Sequence, residues 1–293
     1  NPTTLDARGR GRVLYVTGDV SVTLEGQRLT GGDATGMGGS LSSSGSAYDV
    51  GGGLYAFTAT LLLQDNWVSG NDALLGGGLG LKGSEGLLSG NHIILNTASD
   101  GGGVQLMDCE GLTITGNTIV DNAVTENGGG LDVRFSTATI SANTISSNTA
   151  AHMGGGLHLW ESDCTIGGNT ISYNFVGHNG AGITLLRSQA AISGNVISYN
   201  DGFYGPGGIN ALWSQCTLDA NIIRFNEGNF CSGIWLEDSD AALTNNVVAD
   251  NDASNATGGC LRFGGSTARL AHNTFARNQA AGVQSYSATA GSR

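Results

Sequence analysis

The sequence predicts an all-β chain wound into a right-handed parallel β-helix, a solenoid of about ten turns of 25–27 residues. Three observations predict it. Two asparagines five residues apart recur nine times, the first members being Asn66, Asn91, Asn117, Asn143, Asn169, Asn195, Asn221, Asn246 and Asn273. Apolar residues keep fixed places around them, Leu or Ile three residues before and Val, Ile or Phe two residues after. Between these marks, apolar and polar residues alternate in short runs, which is the period of strands rather than of helices.

The elements follow in order. Residues 1–50 read as an atypical first turn, with strand patterns at GRVLYV (11–16) and VTLEGQRL (22–29) and with Gln27 where later turns carry asparagine. Within it, residues 31–50 form a Gly- and Ser-rich insertion expected to be mobile. Residues 51–283 are the regular turns and residues 284–293 a C-terminal tail, all in one continuous domain. A typical unit is GGGLHLWESDCTIGGNTISYNFVGHN, Gly154 to Asn179, with apolar runs at Leu157 and Leu159, at Cys164 and Ile166, and at Ile171. That gives three short strands per turn, each stacked about 4.8 Å above its predecessor in one of three parallel sheets.

The recurrent asparagines read as structure. An inward Asn amide at a bend satisfies backbone groups that would otherwise be orphaned, and stacked amides hydrogen-bond from level to level. Asn117, Asn143, Asn169, Asn195, Asn221 and Asn246 are therefore expected to form an internal ladder. Tyr173, Tyr199 and Phe225, each just before the second asparagine of its unit, are expected to stack in the same way.

Composition narrows the partners. The net charge of −12 argues against nucleic acid, and no run is long and apolar enough to span a membrane. Extracellular glycans, or further copies of the chain assembling end to end or laterally, fit better. No cofactor is expected, although an acidic surface leaves a divalent cation open. The five cysteines, an odd number, do not suggest a disulfide framework. Cys164 and Cys216 fall in one inward column with Ala190 between them, too far apart to bond, whereas Cys231 and Cys260 stand in turns on adjacent levels, where a disulfide between them is open.

The GGGL run ending at Leu131 and the NTIVDN run from Asn117 to Asn122 resemble bacterial extracellular proteins of the right-handed parallel β-helix repeat class. They are also similar to the GGxI and FxxN repeats of polymorphic outer-membrane autotransporters, whose translocator barrel is not seen here. The resemblance covers roughly residues 50–283 and implies the pectin-lyase-like superfold at a bacterial cell surface or outside the cell. It specifies activity weakly, since adhesins, surface-layer parts, tailspikes and polysaccharide-degrading enzymes share this architecture.

Two groups of residues carry candidate chemistry. Glu126, His152, His178 and Tyr204 precede the apolar anchor by five residues on four consecutive levels. A carboxylate, two imidazoles and a phenol have the makings of a metal site or of an acid–base set for β-elimination. On a face taken to point outward stand Asp132 and His158, one level apart, with Arg134, Trp160, Arg187, Trp213, Trp235 and Glu237 nearby. Aromatic rings beside charged groups suit sugars. Missing are the clustered aspartates of pectin hydrolases, a column of three calcium-binding aspartates and a G-x-S-x-G motif. The expected function is a non-catalytic extracellular module, adhesive or self-assembling. The alternative is a polysaccharide-binding protein, lyase or hydrolase acting on an exposed face.

Overall fold

The computed structural model describes residues 3–41, 47–253, 259–279 and 281–286. The chain is a parallel β-solenoid, and among the described residues it contains no helix. One level shows how the sequence produces it. Leu131–Arg134 and Thr137–Ser141 form two strands separated by a bend, then come Thr144–Ser146 and the two-residue strand Thr149–Ala150. Each pairs in parallel with its counterpart one level on, Leu131 with Leu157, Ala138 with Cys164, Ile145 with Ile171 and Ala150 with Val176.

In the regular levels the first two strands belong to one 19-stranded sheet, the third to an 11-stranded sheet and the fourth to a 7-stranded sheet, while Leu14–Glu25 and Leu54–Gln64 each run the first two strands of an early level together. Three parallel sheets match the sequence expectation. Three strands per turn do not, because the fourth strand carries only one inward residue and leaves too short a pattern to read. Leu, Ile and Val of the first three strands fill one continuous core, while Ala98, Val124, Ala150, Val176 and Ala181 form a thinner one behind the fourth.

The asparagines form two unbroken ladders inside the bends. Asn143 Nδ2 donates to Asn169 Oδ1 at 3.0 Å and to the Ile114 carbonyl at 2.9 Å, and its backbone N–H donates to the same Asn169 oxygen at 2.9 Å. The second ladder repeats this at Asn148, whose amide reaches Asn174 at 3.0 Å and Ile119 O at 2.9 Å. Each Asn thus satisfies bend groups that no strand partner can reach. Gln27 takes the ladder place in the first turn, its backbone N–H donating to Asn66 Oδ1 at 2.9 Å. The residue before each ladder Asn takes positive φ whatever its type, Gly116 at +65° and Ala142 at +54° alike.

The insertion carries an antiparallel hairpin, Gly39–Leu41 with Ala47–Asp49. The Asp49 carboxylate accepts the Gly36 and Gly38 N–H groups, and Tyr55 Oη donates to Gly39 O at 2.5 Å. The Asp49 contacts close the insertion on itself, and the Tyr55 bond ties it to the solenoid. Residues 42–46, the part of the expected mobile segment at its tip, lie outside the described residues, as do residues 287–293 of the tail. The last described strand, Ala281–Tyr286, pairs with Gly259–Gly264 and so extends past the expected boundary at residue 283.

Candidate functional site

A second buried seam runs beside the main core, and the glycine runs create it. The GGG turn folds back across the first strand of its own level, so the residue after the apolar anchor is roofed over. A Cβ on Gly154, whose φ is +61°, would stand 2.7 Å from His158 Cβ. At this level a side chain there would clash, and glycine avoids it. The seam is apolar near Val50, Tyr55 and Leu75 and ionic further along.

Its ionic part contains Asp100, Asp132, Arg134 and His158. His158 Nδ1 lies 2.6 Å from Asp132 Oδ1, and Arg134 bridges Asp132 at 2.6 Å and Asp100 at 2.5 Å. Asn127 Nδ2 donates to Asp100 at 2.9 Å. Burial raises the Asp100 pKa, and the neighbouring Asp132 charge adds to this against the pull of Arg134. Burial works to lower the Arg134 pKa, but the two carboxylates outweigh it and the guanidinium is held charged.

This geometry corrects the expected exposed face. Asp132, His158, Thr184 and Asn210 are all buried, Asp132 at 0% and His158 at 2% exposure. The adjacency of Asp132 and His158 is as expected. Their accessibility is not, because alternation along a strand reports which side a residue faces but not whether a turn covers that side. His158 Nε2 is sealed and has no hydrogen-bond partner. A catalytic imidazole needs that nitrogen open to a reacting group.

The aromatic residues divide between seam and surface. Trp160 is half-buried with the Arg134 guanidinium 5.3 Å from its ring, and Phe135 lies 5.6 Å away. Trp235 is half-buried under Arg262 at 4.6 Å, and Glu237 is half-buried beside the next bend. Trp213 is 54% exposed, with Arg187 5.9 Å from its ring and Glu161 3.5 Å from Arg187. Of the predicted ligand-contact residues, Arg187 and Trp213 stand together in solvent.

The Glu126 column is assembled as the equal spacing predicts. His152 Nδ1 is 2.5 Å from Glu126 Oε2, and the His152–His178 and His178–Tyr204 ring centroids are each 5.3 Å apart. Glu126 and His152 are about half exposed. The predicted Tyr173, Tyr199 and Phe225 stack is also present, with centroids 5.0 and 5.1 Å apart.

A groove runs along the outside of the bend between the first two strands of successive levels. It consists of three clefts of about 520, 620 and 700 Å³. Glu110 borders both the first and the second, and Asp163 and Gln189 both the second and the third, so the clefts adjoin. Asp108 and Glu110 line the first, Phe135, Glu161 and Arg187 the second, and Gln215 and Asp240 the third. On another side of the solenoid lies a column that the sequence reading missed, Asp201, Glu227 and Asp252, each following the second ladder asparagine. Its signal was three acidic residues 25–26 apart, hidden by the Thr, Ala and Phe that hold the same place at earlier levels.

Parallel sheets, stacked levels and inward asparagine ladders define a parallel β-helix protein. Residues 8–171 match the family model described as right handed beta helix region, and residues 130–290 match the one described as periplasmic copper-binding protein (NosD). Each match spans more than half of the chain, which belongs to these two overlapping β-helix families. No curated protein and no solved structure matches it.

Proposed function

We propose that the chain is a non-catalytic β-helix scaffold of the bacterial cell envelope that holds a polymeric glycan along its axial groove. The observation that carries this reading is the row of adjoining clefts along successive levels, with Arg187 lining the middle one and the exposed Trp213 ring 5.9 Å from its guanidinium. A ring face and a guanidinium next to amide and hydroxyl side chains supply stacking and hydrogen bonds for sugar units. The sealed His158 Nε2 argues against acid–base chemistry at the Asp132 pair. The periplasmic wording of one family description supports an envelope location.

Copper, named in the same description, does not fit the donor set. Among the described residues no three His, Cys, Asp or Glu side chains converge on a point that holds a metal. The five cysteines are buried and free, Cys231 and Cys260 included, so the pairing left open by their adjacent levels is not formed, and burial pushes Cys164, Cys216 and Cys231 up to about 12. Thiols held protonated are poor copper ligands.

A glycan array followed by titration tests the proposal. Saturable binding weakened about tenfold by Trp213→Ala is expected. Equal affinity in the parent and the variant overturns the groove as the site.

A further inference from the structure

The bend between the first two strands of a level is left-handed, and on six consecutive levels no glycine holds it. Asp108, Phe135, Glu161, Arg187, Trp213 and Asp238 occupy equivalent places, each N–H donating to the carbonyl just before the same bend one level on. Their φ angles run from +46° to +54°. Glycine stands there at both flanking levels, Gly83 at +54° and Gly265 at +59°. Aromatic rings and a guanidinium are bulky occupants for left-handed backbone, and strain of this kind gathers where side chains are put to use.

The six side chains form one exposed ridge, of which Phe135, Glu161 and Arg187 line the middle cleft. Its two rings, Phe135 and Trp213, are 46% and 54% exposed. They stand three levels apart, about 14 Å at the spacing of parallel strands. Each is backed, Phe135 by the Trp160 ring at 5.6 Å and Trp213 by the Arg187 guanidinium at 5.9 Å. Between them Glu161 and Arg187 pair at 3.5 Å, so the middle of the ridge carries no net charge. Over the three clefts, lining carboxylates outnumber arginines seven to two, a balance that repels polyuronate or sulfated chains.

We propose that Phe135 and Trp213 are the two stacking platforms of a site for a neutral, extended 1,4-linked glycan at least four sugar units long. Glu161 and Arg187 hydrogen-bond the hydroxyls of the units between. Resting on glycan binding in the axial groove, this adds the ligand's charge, its shape and its shortest length. Pyranose units joined through equatorial bonds at positions 1 and 4 repeat every ~5 Å, close to one level. Rings three levels apart therefore meet the first and fourth units of a straight chain, and stacking on both is what fixes the length.

The test is calorimetric titration of the whole chain with cello-oligosaccharides and N-acetylchito-oligosaccharides of two to six units. Affinity is expected to rise about tenfold between trimer and tetramer, the first length that reaches both rings. Phe135→Ala and Trp213→Ala should each bring the tetramer down to the trimer's affinity and leave the trimer nearly unchanged, because one ring remains. Phe135→Tyr, which keeps the ring, should retain the step. Affinity that climbs evenly with length, or alanine variants that weaken trimer and tetramer alike, overturns the two-platform assignment and leaves the groove as a glycan site. Tighter binding of oligogalacturonates than of the neutral oligomers overturns the neutral class. Absence of saturable binding at every length overturns the assignment outright, and the glycan array then decides whether the groove reading falls with it.

Discussion

His158 Nδ1 sits 2.6 Å from the Asp132 carboxylate one level below, in a seam where neither side chain meets solvent appreciably. The Arg134 guanidinium closes the other side of the same carboxylate and continues to Asp100. Two carboxylates, a guanidinium and an imidazole thereby cross-link levels that the strands already join, in a region where a lone charge would be costly.

Removing one member should therefore harm more than removing the pair. Asp132→Ala leaves Arg134 and His158 facing a void and is expected to destabilise by about 3 kcal/mol. The double variant Asp132→Leu/His158→Leu should recover part of that loss. Urea unfolding of the two variants against the parent checks this, and equal losses in both would show that the cluster is not coupled.

The ladders predict a position-dependent penalty. Asn169 Oδ1 accepts from the Asn143 side chain and backbone, while Asn169 Nδ2 donates to Ile140 O and Asn195. Asn169→Ala orphans several buried groups at about 1–3 kcal/mol each. Asn273→Ala, at a half-buried rung, should cost much less. Hydrogen exchange should locate the first loss at the levels of residues 143 and 195.

Ala142 and Ala220 hold φ of +54° and +53° at bend positions where other levels use glycine. A left-handed conformation costs an L-residue roughly 1–2 kcal/mol, and glycine gives back part of this through its freer unfolded chain. Ala142→Gly and Ala220→Gly should each stabilise by about 0.5 kcal/mol. Denaturation midpoints that fall in both variants would contradict the strain assignment.

The cysteines predict a pH response. Burial raises the thiol pKa of Cys164, Cys216 and Cys231 from 9.0 to about 12 and that of Cys260 to about 11. The folded state keeps protons that the unfolded state releases, so this contribution is fully present below about pH 9 and is lost as pH rises towards 12. Native chain at pH 8 should resist alkylation by iodoacetamide, and the unfolded chain should take up five equivalents. Rapid labelling of native Cys164 would contradict the burial argument.

The sequence carried the architecture because its spacing is nearly invariant. Asn117 and Asn143 are 26 residues apart, and equal spacing places any two such residues on adjacent levels. The same arithmetic put His158 beside Asp132 and His178 beside His152. What it missed came from loop closure and side-chain reach. Gly154 seals His158, and nothing in the alternation of Leu157, His158 and Leu159 reports that. Arg134 reaches Asp100 on the level below through its long side chain, a partnership invisible to column counting. Thr149–Ala150 is too short to show a period at all.

The near-constant repeat also has a mechanical meaning. Each level is joined to its neighbours covalently at one point and elsewhere by hydrogen bonds that run parallel to the axis. Tension applied at the two ends would peel the coil one level at a time rather than shear all the sheets at once. A level of 26 residues would release about 90 Å of contour length when it lets go. The molecule should extend under load as a series of near-equal steps, a spring whose increment is written into its asparagine spacing.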